Sequence, residues 1–431
     1  MVSPARSAAF QALLQYRRNH QISRLSCTLD SDRRLAERIF FGVLQNERYL
    51  DWCLEQLIPR GYQRLHPALL DLLRLSAYQL LFLNKIPDSA IVNDAVSLCR
   101  KSAFSYSSGM TNAVLRNLSG RRDDFLSQQP ELSVRYSHPD WMVTRLLERF
   151  GEPFTRALLS ANQQIPEIHL QVNTRRCSLE QYCRLLQERH LSPVSVQEAF
   201  PSVHVSSTPV ENLPGFREGF FYVQDDAART SVRLAEIQPE MPVLDLCAAP
   251  GGKSIAAVLD GGVPLSCDIS RERLKRCLEN YQRLHMDIQV READAREPVP
   301  EWFDLYPVVL ADVPCSGTGV IRKHPEIRRK SESDFLSLLS LQHDILASAS
   351  HYVSPGGILI YSTCSVMREE NEDQVERFLR EHGNFMLEPV PSESDPCQNG
   401  MFHSWTHLNG NDGFFAAKLK KHDESSLPSS G

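Results

Sequence analysis

Apolar residues recur every three or four positions through the first 120 residues, the spacing of one helix face. Over 32–58, Leu35, Ile39, Val43 and Leu44 share that face, with Asp32 near the start as a cap. The pattern repeats over 67–83 through Leu69, Leu72, Leu73, Leu75 and Leu80. A helix over 88–101 follows Pro87, and another over 109–118 turns Asn112 and Arg116 outward. Short connections predict a compact all-α bundle. Residues 121–135, with Arg121, Arg122, Asp123, Asp124 and Pro130, read as a polar linker, which ends a first domain at about 130.

Beyond the linker the period changes. A helix over 135–151 enters through Pro139, 167–176 is strand-like, and SLEQYCRLLQERH is helical, so 131–224 reads as a small α/β connector. From Met241, short apolar strands alternate with helices, the mark of a parallel sheet. Strands are predicted at 243–247, 264–268, 288–291, 308–313 and 357–363, with helices starting at Ile255 and covering 271–285, 333–352 and 369–381. Residues 225–421 are therefore predicted to be a Rossmann-like, doubly wound α/β domain with ligands at the carboxyl ends of its strands. Residues 422–431 read as a flexible tail.

Composition acts mainly by exclusion. The chain has 431 residues, 42% hydrophobic and 23% charged, which rules out wholesale disorder. Its longest apolar stretch, 69–83, is interrupted by Asp71, Arg74, Ser76 and Gln79, short of the ~20 apolar residues that a membrane span needs. The first residues lack an apolar core, with Arg6, Arg17 and Arg18 spread as on an amphipathic helix, so a cytoplasmic protein is expected. Eleven cysteines with no CxxC pair predict free thiols and no metal site. The net charge of −6 hides an asymmetry: residues 1–130 carry 17 Lys and Arg against 11 Asp and Glu. A basic helical module on an acidic body steers a polyanion toward one end. RNA is the expected partner, with no DNA and no membrane, and the chain is expected to be a monomer.

The chemistry sits at the strand ends. The first strand runs through Asp245 into Cys247-Ala248-Ala249-Pro250-Gly251-Gly252-Lys253, where small residues let a ligand approach the backbone and a helix start offers free amides. The spacing is not GxGxxG, which disfavours a nicotinamide dinucleotide. Asp268, ending the second strand, is placed to accept both hydroxyls of a ribose, and Asp294 after the third to accept an adenine amine. The fourth strand ends in Asp312-Val-Pro-Cys315 and the fifth in Thr363-Cys364, so two cysteines close neighbouring strands. The other cysteines at 27, 53, 99, 177, 183, 267, 277 and 397 read as small packing residues.

These strings carry a resemblance. The segment LRLSAYQLLFLNKIPDSAIVNDAVSL with its closing NAVLRN resembles the helical RNA-binding module of the NusB family. CAAPGGK, DVPCSGTG and YSTCSV resemble the signature strings of the RNA (cytosine-5-)-methyltransferases. From about residue 3 to DGFFAAKLKK the whole chain is similar to the bacterial 16S ribosomal RNA methyltransferases of the Fmu/Sun (RsmB) type. The resemblance implies S-adenosyl-L-methionine as cofactor, bound by residues 247–253, Asp268, Asp294 and Asp312. It also implies Cys364 as nucleophile and Cys315 as the residue that assists release.

The residues suit that reaction. Cytosine C5 is too weak a nucleophile to take a methyl group until a thiolate adds at C6, and a base must then remove the C5 proton. Asp312 is placed to hydrogen-bond the cytosine edge as well as the cofactor. The basic run over 321–330 follows the Cys315 turn and is expected to hold phosphates. In one respect the chain departs from ribosomal members, which often show an aromatic after HPDIK where this chain has Arg328 and Arg329. Three alternatives stay open: methylation of another RNA such as tRNA, a non-catalytic antitermination-like RNA-binding protein, and a nicotinamide-dependent oxidoreductase.

Overall fold

The computed structural model describes residues 2–20, 25, 27, 29–58, 61–198, 200–206, 209–390 and 396–423. They form two compact units, Met1–Gln163 and Gln164–Gly431. The first is helical: α1 (Pro4–Asn19), α2 (Asp30–Leu57), α3 (Pro67–Phe82), α4 (Asp88–Arg100), α5 (Ser108–Gly120), α6 (Arg122–Ser127), α7 (Leu132–Arg135) and α8 (Asp140–Ala161). Asp32 is not a cap, because α2 starts two residues earlier and its N-cap position is Leu29. At the centre lies α3, whose Leu69, Leu72, Leu73, Leu75 and Leu80 are all at most 1% exposed. Each contributes roughly 1.5–3 kcal/mol by leaving water.

Two expectations for this unit fail for identifiable reasons. The stretch over 121–135 is no linker: Phe125 on α6 is buried in the helical core, and its carbonyl accepts the Tyr49 hydroxyl at 2.8 Å. By contact the compact unit also takes in α8, which kinks at Gly151. The basic residues are also not all on the surface. Arg6 is buried against Gln79 and Asp94, while Arg17 and Arg74 share Asp71 and Glu47, and Arg74 also pairs with Asp51. A sequence pattern counts such arginines as surface charge because it cannot see their acidic partners on other helices. Arg100, Lys101, Arg116 and the 81%-exposed Tyr106 remain open to solvent.

The second unit begins with β1 (Ile168–Val172), α9 (Leu179–Glu188), β2 (Ser195–Gln197), β3 (Ser202–Val205) and β4 (Phe221–Val223). The strands pair antiparallel in the order β2-β3-β1-β4. Ser178 and Gln181 close a capping box that starts α9, whose buried Tyr182 and Leu186 pack on the sheet. This is the expected α/β connector.

There follow α10 (Asp226–Arg233), β5 (Pro242–Asp245), α11 (Gly252–Leu259), β6 (Val263–Asp268), α12 (Arg271–Arg283), β7 (Gln289–Glu292) and β8 (Tyr306–Asp312). Next come α13 (Glu332–Ser350), β9 (Val353–Thr363), α14 (Glu372–Glu381), β10 (Phe385–Leu387), β11 (Phe402–Ser404), α15 (Thr406–Asn409) and β12 (Phe414–Lys421). Strands β7, β6, β5, β8 and β9 lie side by side and parallel, as expected of a Rossmann-like domain. The sheet is nevertheless mixed. β12 runs antiparallel to β9, and β10 and β11 pair with it, so FFAAKLKK is a sheet strand with Phe415, Ala417 and Leu419 in the core. From residue 424 the expected tail lies outside the described residues. Among the described residues no helix is long and apolar enough to cross a membrane.

Candidate functional site

The turn after β5 is held from three sides. Leu246 N–H donates to Leu310 O at 3.0 Å, and Ala248 N–H to Cys267 O at 2.8 Å, which pins the turn between the ends of β8 and β6. From α12, Arg273 reaches Ala249 O and Asn280 reaches Pro250 O. Gly251 has φ +104° as it opens α11, and a Cβ there would meet the Tyr281 ring at 2.7 Å. No side chain caps the start of α11. Cys247 is half-buried and its thiol is pushed up by burial and by Asp245.

Asp245 is fully buried at the end of β5. Its Oδ2 accepts the Ser254 hydroxyl at 2.7 Å, while Oδ1 has no partner among the described residues. Burial pushes this carboxyl up to about 7. Lys253 does not reach outward as a phosphate-binding lysine would: its Nζ lies 2.7 Å from Asp312 Oδ2 and over the Phe414 ring. Asp312 Oδ1 accepts the Ser362 hydroxyl at 3.0 Å, so the acid is tied to both α11 and β9.

The two acids expected to hold the cofactor differ. Asp268, 2% exposed, accepts Ser270 N–H through Oδ1 and has Arg273 at 3.4 Å from Oδ2. Asp294 lies beyond β7 with both oxygens occupied by the Arg296 guanidinium, which lowers its pKa. The turn with no side chain capping α11, the unpaired Asp245 oxygen and buried Asp268 fit a nucleoside bearing an amino-acid-like end. Asp294 fits only if it exchanges Arg296 for the base.

Asp312 and Ser362 are register partners on β8 and β9, and the turns beyond them bring the Cys315 and Cys364 sulfurs to 3.3 Å. Both thiols are half-buried. The Cys315 thiol is pushed well up, first by its hydrogen bond with Cys364 and then by burial. Gly319 N–H donates to Cys364 O and Gly413 N–H to Gly319 O, so the start of β12 closes over both turns.

The basic run over 321–330 is largely internal. Arg322 and Lys323 pair with Asp412, Lys323 also with Asp225, Arg328 donates to Ile321 O, and Lys330 to Ser316 O. Among its lysines and arginines, only Arg329 is exposed. Sequence reasoning also missed Glu370, Asn371 and Gln342, which bind the two cysteine turns; their positions had simply read as helix.

Two groups away from the strand ends have metal-type donors within 4.8 Å: Glu167, His169 and His204, and Glu372, Cys397 and His403. The His169 and His204 rings stack 3.7 Å apart at 10°, so their in-plane lone pairs cannot meet on one ion. His403 Nε2 already lies within 3.5 Å of Asn399 and Glu372 oxygens.

Comparison with known proteins gives three matched segments. Residues 232–420 match the model of the 16S rRNA methyltransferase RsmB/F, residues 3–120 that of the NusB family, and residues 138–208 the ferredoxin-like domain of RsmF/B-like methyltransferases. The ribosomal RNA small subunit methyltransferase B of Serratia proteamaculans is 34% identical, covering 91% of both chains. A probable ribosomal RNA small subunit methyltransferase B of Synechocystis is 32% identical over 90% of this chain and 91% of its own. Among solved structures, PH0851 aligns over 97% of this chain and 98% of its own, with TM-score 0.77 and 25% identity. NSun6 from Pyrococcus horikoshii with SFG aligns over 66% of this chain and 98% of its own, with TM-score 0.60 and 19% identity, a likeness of fold. With these identities sustained over nine-tenths of its length, the chain belongs to the RsmB/F family of 16S rRNA methyltransferases.

Proposed function

We propose that the chain methylates C5 of a cytosine in 16S ribosomal RNA, using S-adenosyl-L-methionine and a covalent bond from Cys364 to C6. The observation that carries this reading is the pair of thiols 3.3 Å apart at the ends of adjacent parallel strands, beside Asp312. The cofactor supplies an electrophilic methyl group; residues 247–253 and Asp268 hold it. The Cys364 thiolate adds to C6 and makes C5 nucleophilic. Asp312 hydrogen-bonds the base edge. Once C5 is methylated, Cys315 or a water it orients takes the C5 proton, the C5–C6 double bond reforms and the Cys364 sulfur leaves. The base must be unstacked to meet two half-buried sulfurs. Arg329 beside the turn and, in the helical unit, exposed cations that include Arg100, Lys101 and Arg116 are available for phosphates.

The test is adduct formation on denaturing gels with 16S RNA. Cys364→Ala should lose both methyl transfer and adduct; Cys315→Ala should accumulate a methylated RNA bound to protein. An adduct in Cys364→Ala and none in Cys315→Ala would reverse the two roles.

A further inference from the structure

Two consecutive residues just before α14, Glu370 and Asn371, reach the two cysteine turns separately. Glu370 is fully buried. Its Oε1 accepts Ser316 N–H at 2.7 Å and the Gln342 amide at 2.9 Å, while Oε2 accepts the Ser316 hydroxyl at 2.6 Å. The Tyr361 hydroxyl on β9 donates to its carbonyl. Asn371 grips the other turn: its Oδ1 accepts the Thr363 hydroxyl at 2.6 Å, and its Nδ2 donates to Ser365 O at 3.0 Å. Thus Glu370 holds the residue after Cys315, and Asn371 holds the residues on both sides of Cys364.

The charge at Glu370 adds an electrostatic consequence. Among the described residues its carboxylate has hydrogen-bond donors and no cation in ion-pair contact. The titratable and charged groups around the Cys315 turn are Cys364, Glu370, Tyr361 and Asp312, with Lys330 on the Ser316 carbonyl. A second negative charge beside a buried carboxylate is disfavoured, so this arrangement opposes a thiolate at Cys315. The hydrogen bond with Cys364, burial, the Cys364 charge and, smallest of the four, the Glu370 charge push the Cys315 thiol up.

We propose that Glu370 and Asn371 are positioning residues that fix the two cysteine turns against each other, and that the Glu370 carboxylate disfavours a thiolate at Cys315 in the free enzyme, leaving Cys364 to attack; Cys315 then passes its own proton to solvent before it takes the one on C5. This rests on the division of labour proposed above. Glu370→Gln tests it with little loss of geometry. The amide oxygen can replace Oε1, and the amide nitrogen can donate to Ser316 Oγ, which turns toward Ser365 or Thr318, both within hydrogen-bond reach.

Iodoacetamide alkylation of the full-length protein is followed against pH by peptide mass spectrometry, without RNA or cofactor. In Glu370→Gln, Cys315 should alkylate about tenfold faster at pH 8, its midpoint moving to lower pH, because the thiolate is the reactive form. Asn371→Ala should lower methyl transfer and leave the Cys315 midpoint in place. An unchanged Cys315 midpoint in folded Glu370→Gln overturns the proposal. So does wild-type protein in which Cys315 alkylates at lower pH than Cys364, a measurement that stands even where the variant does not fold. Failure of the covalent reading would show instead as no adduct in Cys315→Ala, with these alkylation results unaffected.

Discussion

Lys253 Nζ and Asp312 Oδ2 lie 2.7 Å apart, joining the first turn of α11 to the end of β8. In a phosphate-binding loop the equivalent lysine reaches its ligand; here it braces the wall of the site and lies on the Phe414 ring. The pair couples the turn expected to hold the cofactor to the strand that delivers Cys315. Chemistry at the sulfurs and affinity at the turn should therefore respond together.

The first prediction concerns this pair. Lys253→Ala leaves Asp312 with the Ser362 hydroxyl and no cation, in a setting between exposed and buried. The loss of stability should fall between the ~1 kcal/mol of an exposed pair and the ~3–5 kcal/mol of a buried one. In a double-mutant cycle with Asp312→Ala, measured by urea unfolding, the two losses should not add. Full additivity would show that the contact carries no coupling.

The fold was legible where local pattern decides structure. The helices of the first unit and the parallel strands show in their periods because each buries one face or a continuous run. β12 was not read as a strand: FFAAKLKK follows the turn-rich 409–413, but its antiparallel place beside β9 is a long-range choice. The thiols and the strand-end acids were legible because each closes a strand. Glu370 and Asn371 were not, because their function depends on turns 54 and 8 residues distant in sequence. The run over 321–330 misled for the opposite reason: its charges are conspicuous in sequence, but Asp225 and Asp412, which neutralise Lys323, lie 98 and 89 residues away.

The two cofactor acids should not weigh equally. Asp268 is buried with Arg273 at 3.4 Å from Oδ2, a longer contact than the bonds by which Arg296 already occupies both Asp294 oxygens. Asp268→Ala should weaken S-adenosyl-L-methionine by about tenfold or more in calorimetry, the scale of a hydrogen-bonded carboxylate contact. Asp294→Ala should cost less, since the base must first displace a guanidinium. Equal losses would mean that Arg296 turns away at no cost.

Gly319 and Gly413 pack backbone to backbone. A Cβ on Gly319 would sit 2.0 Å from Gly413 O, and neither partner is a flexible side chain. Gly319→Ala must push β12 away from the Cys315 turn, costing roughly 1–3 kcal/mol or more. Methyl transfer should fall further than stability does, because the displaced turn carries Cys315 and accepts the bond that holds Gly413. Denaturant unfolding beside a methylation assay separates the two; wild-type stability would show that the close approach relaxes freely.

The last prediction uses Asp245. Burial holds this carboxyl at about 7 against its ordinary 3.8, with the Ser254 hydrogen bond and Lys253 opposing. Between about pH 4 and pH 7 the folded chain therefore keeps a proton at Asp245 that the unfolded chain has lost. Unfolding then releases a proton, so this group makes stability fall as pH rises through that window and level off above it. Asp412, pushed up to about 6 by burial and by Asp225, acts in the same direction and does not depend on Asp245. The informative quantity is thus the difference between wild type and Asp245→Asn, which cannot ionise and keeps an oxygen for Ser254. Urea unfolding from pH 4 to pH 8 should show the wild type losing stability relative to the variant as pH rises. Parallel curves would mean that Asp245 ionises alike in the folded and unfolded chains.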